Sequence, residues 1–230
     1  MNIEILQLID GARAARGLTV IIDVFRAFSL EVYLLAGGAE KIIPVGDVEL
    51  AYRLKKEHPE FVLAGERHGK ILPGFDTGNS PSQLTGVDVM GKTVVHTTSA
   101  GTQGIANAVH ADEILGAGLV NARATACYIR KSGAEEVSLV CMGLAALEPT
   151  EEDTLCARYI KSLLENEPLD LAAEIEGLKQ TSGAKFFDPA QQDVFPKEDF
   201  ALCVDADRFD FVLKLIKPEQ GIPYVIKQMA

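Results

Sequence analysis

Short apolar runs alternate with stretches of helical periodicity through most of the chain. Residues 18–22 form a β-branched run of the kind that lies buried in a parallel sheet. Residues 28–35 are apolar on most sides and predict a buried helix, closed by Gly37-Gly38. Further strands are predicted over 41–45, 61–64, 93–96, 113–115 and 136–141. Between and after them, helices are predicted over 47–57 (capped by Asp47), 103–109, 121–131 and 150–164. This alternation predicts an α/β fold, a three-layer α/β/α domain on a mainly parallel or mixed sheet.

From Pro168 onward the pattern changes. Residues 169–179 read as helix, 181–196 as irregular, and 209–216 fit strand or helix equally. No internal repeat or low-complexity linker interrupts the chain. Residues 1–230 are therefore expected to form one domain, with 168–230 a C-terminal extension packed on it. Residues 65–85 form a long loop with no evident element, and loops of that length in a compact domain are often functional.

Charge narrows the partners. The formal net charge is −11 and no Lys/Arg run offers a basic footprint, which excludes nucleic acid as an expected partner. A small anion would also be repelled, unless local arginines or a divalent cation reverse the sign inside a site. Cys127, Cys141, Cys156 and Cys203 form no C-x-x-C pair and read as small buried hydrophobes in a reducing compartment. Residues 1–7 lack a basic, long apolar leader, and no run reaches the roughly 20 apolar residues that span a bilayer. A cytoplasmic protein without a membrane partner is expected. The oligomeric state is left open, a homodimer included.

Ligand sites in open α/β sheets lie beyond the carboxyl ends of the strands. The polar residues following the apolar runs are Asp23-Val24-Phe25-Arg26, Gly65-Glu66-Arg67, Thr97-Thr98-Ser99-Ala100-Gly101-Thr102, and Gly143 leading to Glu151-Glu152-Asp153. Parallel strands would bring all four to one rim. Carboxylates, two arginines and a hydroxyl loop suit a hard cation such as Mg²⁺ together with a phosphate. The 97–102 segment opens a helix, where backbone N–H groups and hydroxyls can converge on an anion.

Each cluster has a plainer reading. Asp23 can cap the helix after it. Arg26 can pair with Glu31 on a helix surface. The 151–153 acids can serve the helix dipole, and Gly74 to Pro81 can be a surface turn.

Some phosphatase classes are excluded. No cysteine is followed by Arg six residues on, and Asp23 lacks a second Asp two residues later. Arg67-His68-Gly69 spells the histidine-phosphatase tripeptide but does not follow the first strand. Gly116-Ala117-Gly118 lacks the third glycine of a dinucleotide fingerprint.

Val20 to Ala27, Gly65-Glu66-Arg67, Gly74-Phe75-Asp76-Thr77-Gly78-Asn79-Ser80-Pro81, Thr97 to Thr102 and Glu152-Asp153 stand in that order. Together they resemble the 2-phosphosulfolactate phosphatase family. The resemblance is clear over about 18–164 and looser to Cys203-Val204-Asp205. It implies a Mg²⁺-dependent phosphatase converting 2-phospho-3-sulfolactate to 3-sulfolactate and phosphate, a step of coenzyme M biosynthesis. On this reading Asp23, Glu66 and Asp153 are candidate metal ligands, with Asp76 in reserve, and Asp23 or Glu152 orients the attacking water. Asp23, Arg26, Glu66 and Asp153 form the candidate catalytic set. Arg67, Asn79, Ser80, Thr97, Thr98, Ser99, Gly101, Thr102 and Arg123 are the candidate substrate contacts. Two alternatives stay open: a Mg²⁺-dependent phosphatase of another small phosphorylated hydroxy acid, and a non-catalytic anion-binding module.

Overall fold

Helix α2 (Ala27–Ala36) sets the architecture, because almost none of it reaches solvent. Leu30 and Val32 point to opposite sides of the helix, yet both are fully buried. In the computed structural model, which describes residues 1–230, one face of a ten-stranded sheet closes over this helix. The strands are β1 (Asn2–Gln7), β2 (Gly17–Ile22), β3 (Lys41–Pro44), β4 (Val62–Arg67), β5 (Lys70–Ile71), β6 (Thr93–Thr97), β7 (Ala111–Ala117), β8 (Glu136–Cys141), β9 (Phe211–Ile216) and β10 (Tyr224–Met229). Their spatial order is β1-β8-β2-β7-β9-β10-β3-β6-β4-β5.

Side chains alternate between the two faces, as a pleated strand requires. Ile21, Val140, Val94 and Leu213 join the core around α2, helix α1 (Leu8–Ala14) and helix α4 (Gly101–Asn107). Their neighbours Val20, Ile22, Leu139, Cys141 and Val212 face the other way, onto α5 (Ala122–Ser132) and α6 (Glu151–Glu165). Helix α3 (Val48–Glu57) covers Ile43, Leu63 and Val95. The predicted α/β class, with helices on both faces of a large mixed sheet, is the observed one.

The C-terminal extension does more than pack on the domain. Its hairpin β9–β10 enters the middle of the sheet. β9 is antiparallel to β7, and β10 is antiparallel to both β9 and β3. Two parallel sets, β1-β8-β2-β7 and β3-β6-β4, are thus joined through three antiparallel junctions and run in opposite directions.

The expected common rim therefore does not arise from uniform parallel strands. Strand twist of about 20–25° per step turns the sheet by roughly 100–125° between β2 and β6. Closure over α2 then brings the two sets of strand ends together. Gly104 of α4 lies directly on Ile21 of β2 and on Met142, with no room for a side chain.

The rest of the extension, with α7 (Leu171–Leu178) and α8 (Lys197–Cys203), covers that meeting point through Phe186 and Phe200, which pack with Leu155 and Leu178. No helix is long and apolar enough to cross a membrane.

Because α2 is enclosed on every side, Leu30→Ala and Val32→Ala should both lower stability despite lying on opposite sides of the helix. The leucine change should cost roughly 2–5 kcal/mol and the valine change less. Urea midpoints test this. A loss within about 0.5 kcal/mol at either position, the range for surface substitutions, would contradict the enclosure.

Candidate active site

The strand ends meet around a cavity of about 320 Å³. The turn from β2 into α2 supplies Asp23, Phe25 and Arg26, and the end of β4 with its turn supplies Glu66, His68 and Gly69. Asn79 comes from the long loop, and Thr98, Ser99 and Ala100 come from the turn into α4. Gly143, Leu144, Ala145 and Glu152 lie between β8 and the first turn of α6. Lys185 and Phe195 close the remaining side from the C-terminal extension.

The buried acids divide into two kinds. Glu66 accepts the Ser99 N–H and Oγ–H on Oε1, both at 2.9 Å, and the Gly69 N–H on Oε2 at 2.7 Å. Asp153 accepts the Val24 N–H and the Gly143 N–H, one on each oxygen, both at 2.8 Å. These two carboxylates pin four loops in two pairs, Glu66 joining the β4 turn to the turn into α4 and Asp153 joining the turn into α2 to the turn after β8. Gly143 has φ of +64°, and a β-carbon there would collide with the Glu148 carbonyl, so its N–H meets Asp153 through a conformation that favours glycine.

Asp23 and Glu152 are far less satisfied. Asp23 Oδ1 accepts only the Ala27 N–H, at 3.3 Å. This capping bond coexists with its place in the cavity wall. Glu152 Oε2 is buried with no hydrogen-bond partner.

The electrostatics cuts across that division, because burial raises Asp153 as well as Asp23 and Glu152. Burial pushes the Asp23 carboxyl up to about 6; the Ala27 N–H opposes this, and the Glu152 and Glu66 charges add to it. Burial also raises Glu152. Asp153 is raised well above the usual carboxylate range by burial, then by Glu152 and Asp23, against its two backbone donors.

Two cations face these acids. Arg26 does not pair with Glu31. Its guanidinium donates to the Val194 carbonyl at 2.7 Å and to the fully buried Asp199 at 3.3 Å, and it lies 4.8 Å from the Phe195 ring centre. Asp199 in turn accepts the Ser80 hydroxyl at 2.8 Å and the Ser82 N–H at 3.0 Å. Lys185 lies over the rings of Phe25, Phe186 and Phe195 at 5.3 to 5.6 Å.

Of the expected site residues, Asp23, Arg26, Glu66, Asn79, Thr98 and Ser99 line the cavity. Gly101 backs it: a β-carbon there would sit 3.1 Å from Asp23 Oδ2. Thr97, Thr102, Ser80 and Asp153 form the layer behind.

Three residues are elsewhere. The Arg67 guanidinium turns away to the Glu66 and Gly46 carbonyls and the Thr97 hydroxyl. Asp76 sits toward the opposite end of β4, accepting the Leu63 N–H and pairing with Lys55. Arg123 is an exposed partner of Asp207. The 97–102 loop is also a poorer anion cradle than its sequence suggests, because the Ser99 donors serve Glu66 and the Thr98 N–H points to Thr102 Oγ1 at 3.4 Å.

Lys185, Phe195 and Asp199 were not legible beforehand. The first two sit in the irregular stretch 181–196, and Asp199 resembles any acid in a helix's first turn.

The raised Asp23 group has a consequence for stability. Its pKa is higher in the fold than in the unfolded chain, so its contribution is complete below about pH 4 and is lost as pH rises through about 6. A difference of that size is worth about 3 kcal/mol. Asp23→Asn should therefore stabilise the protein at pH 7.5 and flatten the decline in melting temperature between pH 4 and 6. A variant less stable than wild type at pH 7.5 would refute the assignment.

Comparison with known proteins gives the site its setting. The family model described as 2-phosphosulpholactate phosphatase matches residues 3–218. A probable 2-phosphosulfolactate phosphatase of Bacillus subtilis is 33% identical over 227 residues, covering 98% of this chain and 98% of its own. Another, of Caldanaerobacter subterraneus subsp. tengcongensis, is 34% identical over 210 residues, 85% of this chain and 86% of its own. A third, of Thermotoga maritima, is 36% identical over 148 residues, 64% of this chain and 63% of its own. With the match running through every wall of the cavity and into the central hairpin, the chain belongs to the 2-phosphosulfolactate phosphatase family.

Proposed function

We propose that this protein is a Mg²⁺-dependent phosphatase of the cytoplasm, converting 2-phospho-3-sulfolactate to 3-sulfolactate and phosphate in a coenzyme M biosynthesis-type step. The observation that carries this reading is one cavity in which Asp23 and Glu152, short of hydrogen-bond donors, face Arg26 and Lys185. An excess of buried negative charge is costly unless a cation joins it. In a protein of net charge −11, Lys185 is the uncompensated positive charge that draws an anion bearing phosphate, carboxylate and sulfonate to this spot, and Arg26, paired with Asp199, adds directed N–H donors.

The donor set fits Mg²⁺ as that cation. No three carboxylate, imidazole or thiol groups converge as a closed cage. Mg²⁺, however, is commonly held by one or two carboxylates, with phosphate oxygens and water completing its octahedron. Asp23 and the unpartnered Glu152 oxygen are the residues to hold it. Asp153 and Glu66, their oxygens already holding backbone donors, are better read as positioning these loops. Bound there, Mg²⁺ would neutralise phosphoryl oxygens and act as a Lewis acid.

The chain's own residues perform the rest. Arg26 is held rigidly by Asp199 and the Val194 carbonyl, so it meets an oxyanion without first being ordered. Lys185 offers a second positive charge for the acid groups that do not react. Asp23, in the cavity wall, accepts the proton of a water attacking phosphorus as the phosphorus–oxygen bond to the hydroxy acid breaks, and the leaving alkoxide takes a proton back.

Mg²⁺-dependent phosphate release from racemic 2-phospho-3-sulfolactate, beside phospholactate and phosphoglycerates, tests the reading. Turnover should favour the sulfonate and fall by about 10²–10⁴ in Asp23→Asn, the range for loss of a general base. Turnover of another substrate alone would retain the chemistry and remove the pathway. Saturable binding without release would leave an anion-binding module. Lys185→Met should raise KM about tenfold with little change in kcat, as loss of uniform binding does; a change confined to kcat would move Lys185 into the chemical step.

A further inference from the structure

Helix α2 carries one ionisable side chain into the core, Glu31, which is fully buried. Its Oε1 lies 2.8 Å from His96 Nδ1, and the imidazole is equally buried. His96 Nε2 lies 3.2 Å from Asn79 Oδ1. Asn79 lines the cavity, so a line of three polar groups runs from the centre of the protein to the site.

We propose that Glu31 and His96 are positioning residues that hold the Asn79 amide with its N–H donors turned to the cavity, where they bind a phosphoryl oxygen. The proposal rests on the reading of the cavity as an anion site.

The proton count of the Glu31–His96 pair sets the orientation of the amide. An amide oxygen can only accept, so His96 Nε2 must carry a proton to face Asn79 Oδ1. If the Glu31–His96 pair held a single proton, it would be net negative, and Glu31 Oε2 has no hydrogen-bond partner to offset that charge. With a second proton the pair is neutral overall; the 2.8 Å Oε1···Nδ1 contact shares one proton, and because a proton on Glu31 Oε2 would find no acceptor, the other sits on Nε2, which donates. The Asn79 oxygen is then committed to His96, and its two N–H bonds are what remains for a ligand. An unlocked amide could present oxygen instead and repel the anion. Replacing buried ion pairs by apolar residues is often neutral or stabilising, so stability alone gives no reason for this pair.

The test uses inorganic phosphate as the probe and calorimetry as the readout. Asn79→Ala should weaken phosphate binding about tenfold, as expected for one hydrogen bond to a charged group. The double variant Glu31→Leu with His96→Leu removes the pair without stranding a charge. It should melt no lower than wild type and lose the same factor. Glu31→Leu with His96→Gln restores an N–H where Nε2 stood and should recover binding to within about threefold of wild type.

Wild-type phosphate affinity in the double-leucine variant, or no recovery with glutamine, would overturn the proposal. Nitrogen-detected NMR of His96 gives a readout independent of binding and folding of the variants. A protonated Nε2 is expected, and a bare Nε2 would overturn the relay. If wild type binds no phosphate while Nε2 is protonated, the anion-site reading fails and the relay geometry stands without its ligand.

Discussion

A buried carboxylate must find donors or change its proton affinity, and the organisation of this site follows from how that constraint is met residue by residue. Glu66, Asp153 and Asp199 each have both oxygens engaged, with backbone N–H groups, hydroxyls or the Arg26 guanidinium. They act as struts: Glu66 ties the β4 turn to the α4 turn, Asp153 ties the start of α2 to the turn after β8, and Asp199 ties Arg26 to the long loop. Those struts leave Asp23 and Glu152 less well served: Asp23 has the Ala27 N–H at 3.3 Å with the Gly101 N–H beside it, and one Glu152 oxygen has no partner. The satisfied acids thus create the geometry in which two less satisfied acids can persist at the cavity wall.

The central hairpin explains how such a site can form at all. Two parallel sets of strands running in opposite directions would ordinarily place their carboxyl ends at opposite edges. β9 and β10 join them with enough accumulated twist, and α2 gives the curved sheet something to close on. The C-terminal extension therefore has two roles. Its last strands fix the relation between the halves, and its irregular segment brings Lys185 and Phe195 to the cavity those halves enclose.

Much of this was legible in the chain. Strands such as 18–22 and 136–141, and the buried α2, follow directly from apolar patterning, because burial on both faces of a sheet leaves that imprint. The motif order placed Asp23, Arg26, Glu66, Asn79, Thr98 and Ser99 at one site. What was not legible is direction. Sequence shows that Arg67, Asp76 and Asp153 are polar residues near strand ends, but not which way a side chain points, and each is turned to backbone rather than to the cavity. The sheet's reversal was hidden for a related reason, since a run such as 211–216 reads the same in either orientation. Lys185 lay in a segment without periodicity, where pattern carries no information.

The same division of acids sets stability against activity. An Asp23 held up to about 6 is stabilising only while protonated, yet proton acceptance requires it ionised. At neutral pH the ionised Asp23 is therefore an unfavourable buried charge, which a nearby cation would relieve. Arg26 cannot serve as that relief, because Asp199 already neutralises it, and Lys185 supplies only one further charge against Asp23 and Glu152. On the proposed reading, a divalent cation held by Asp23 and Glu152 would offset these acids and lower the barrier to an anionic substrate.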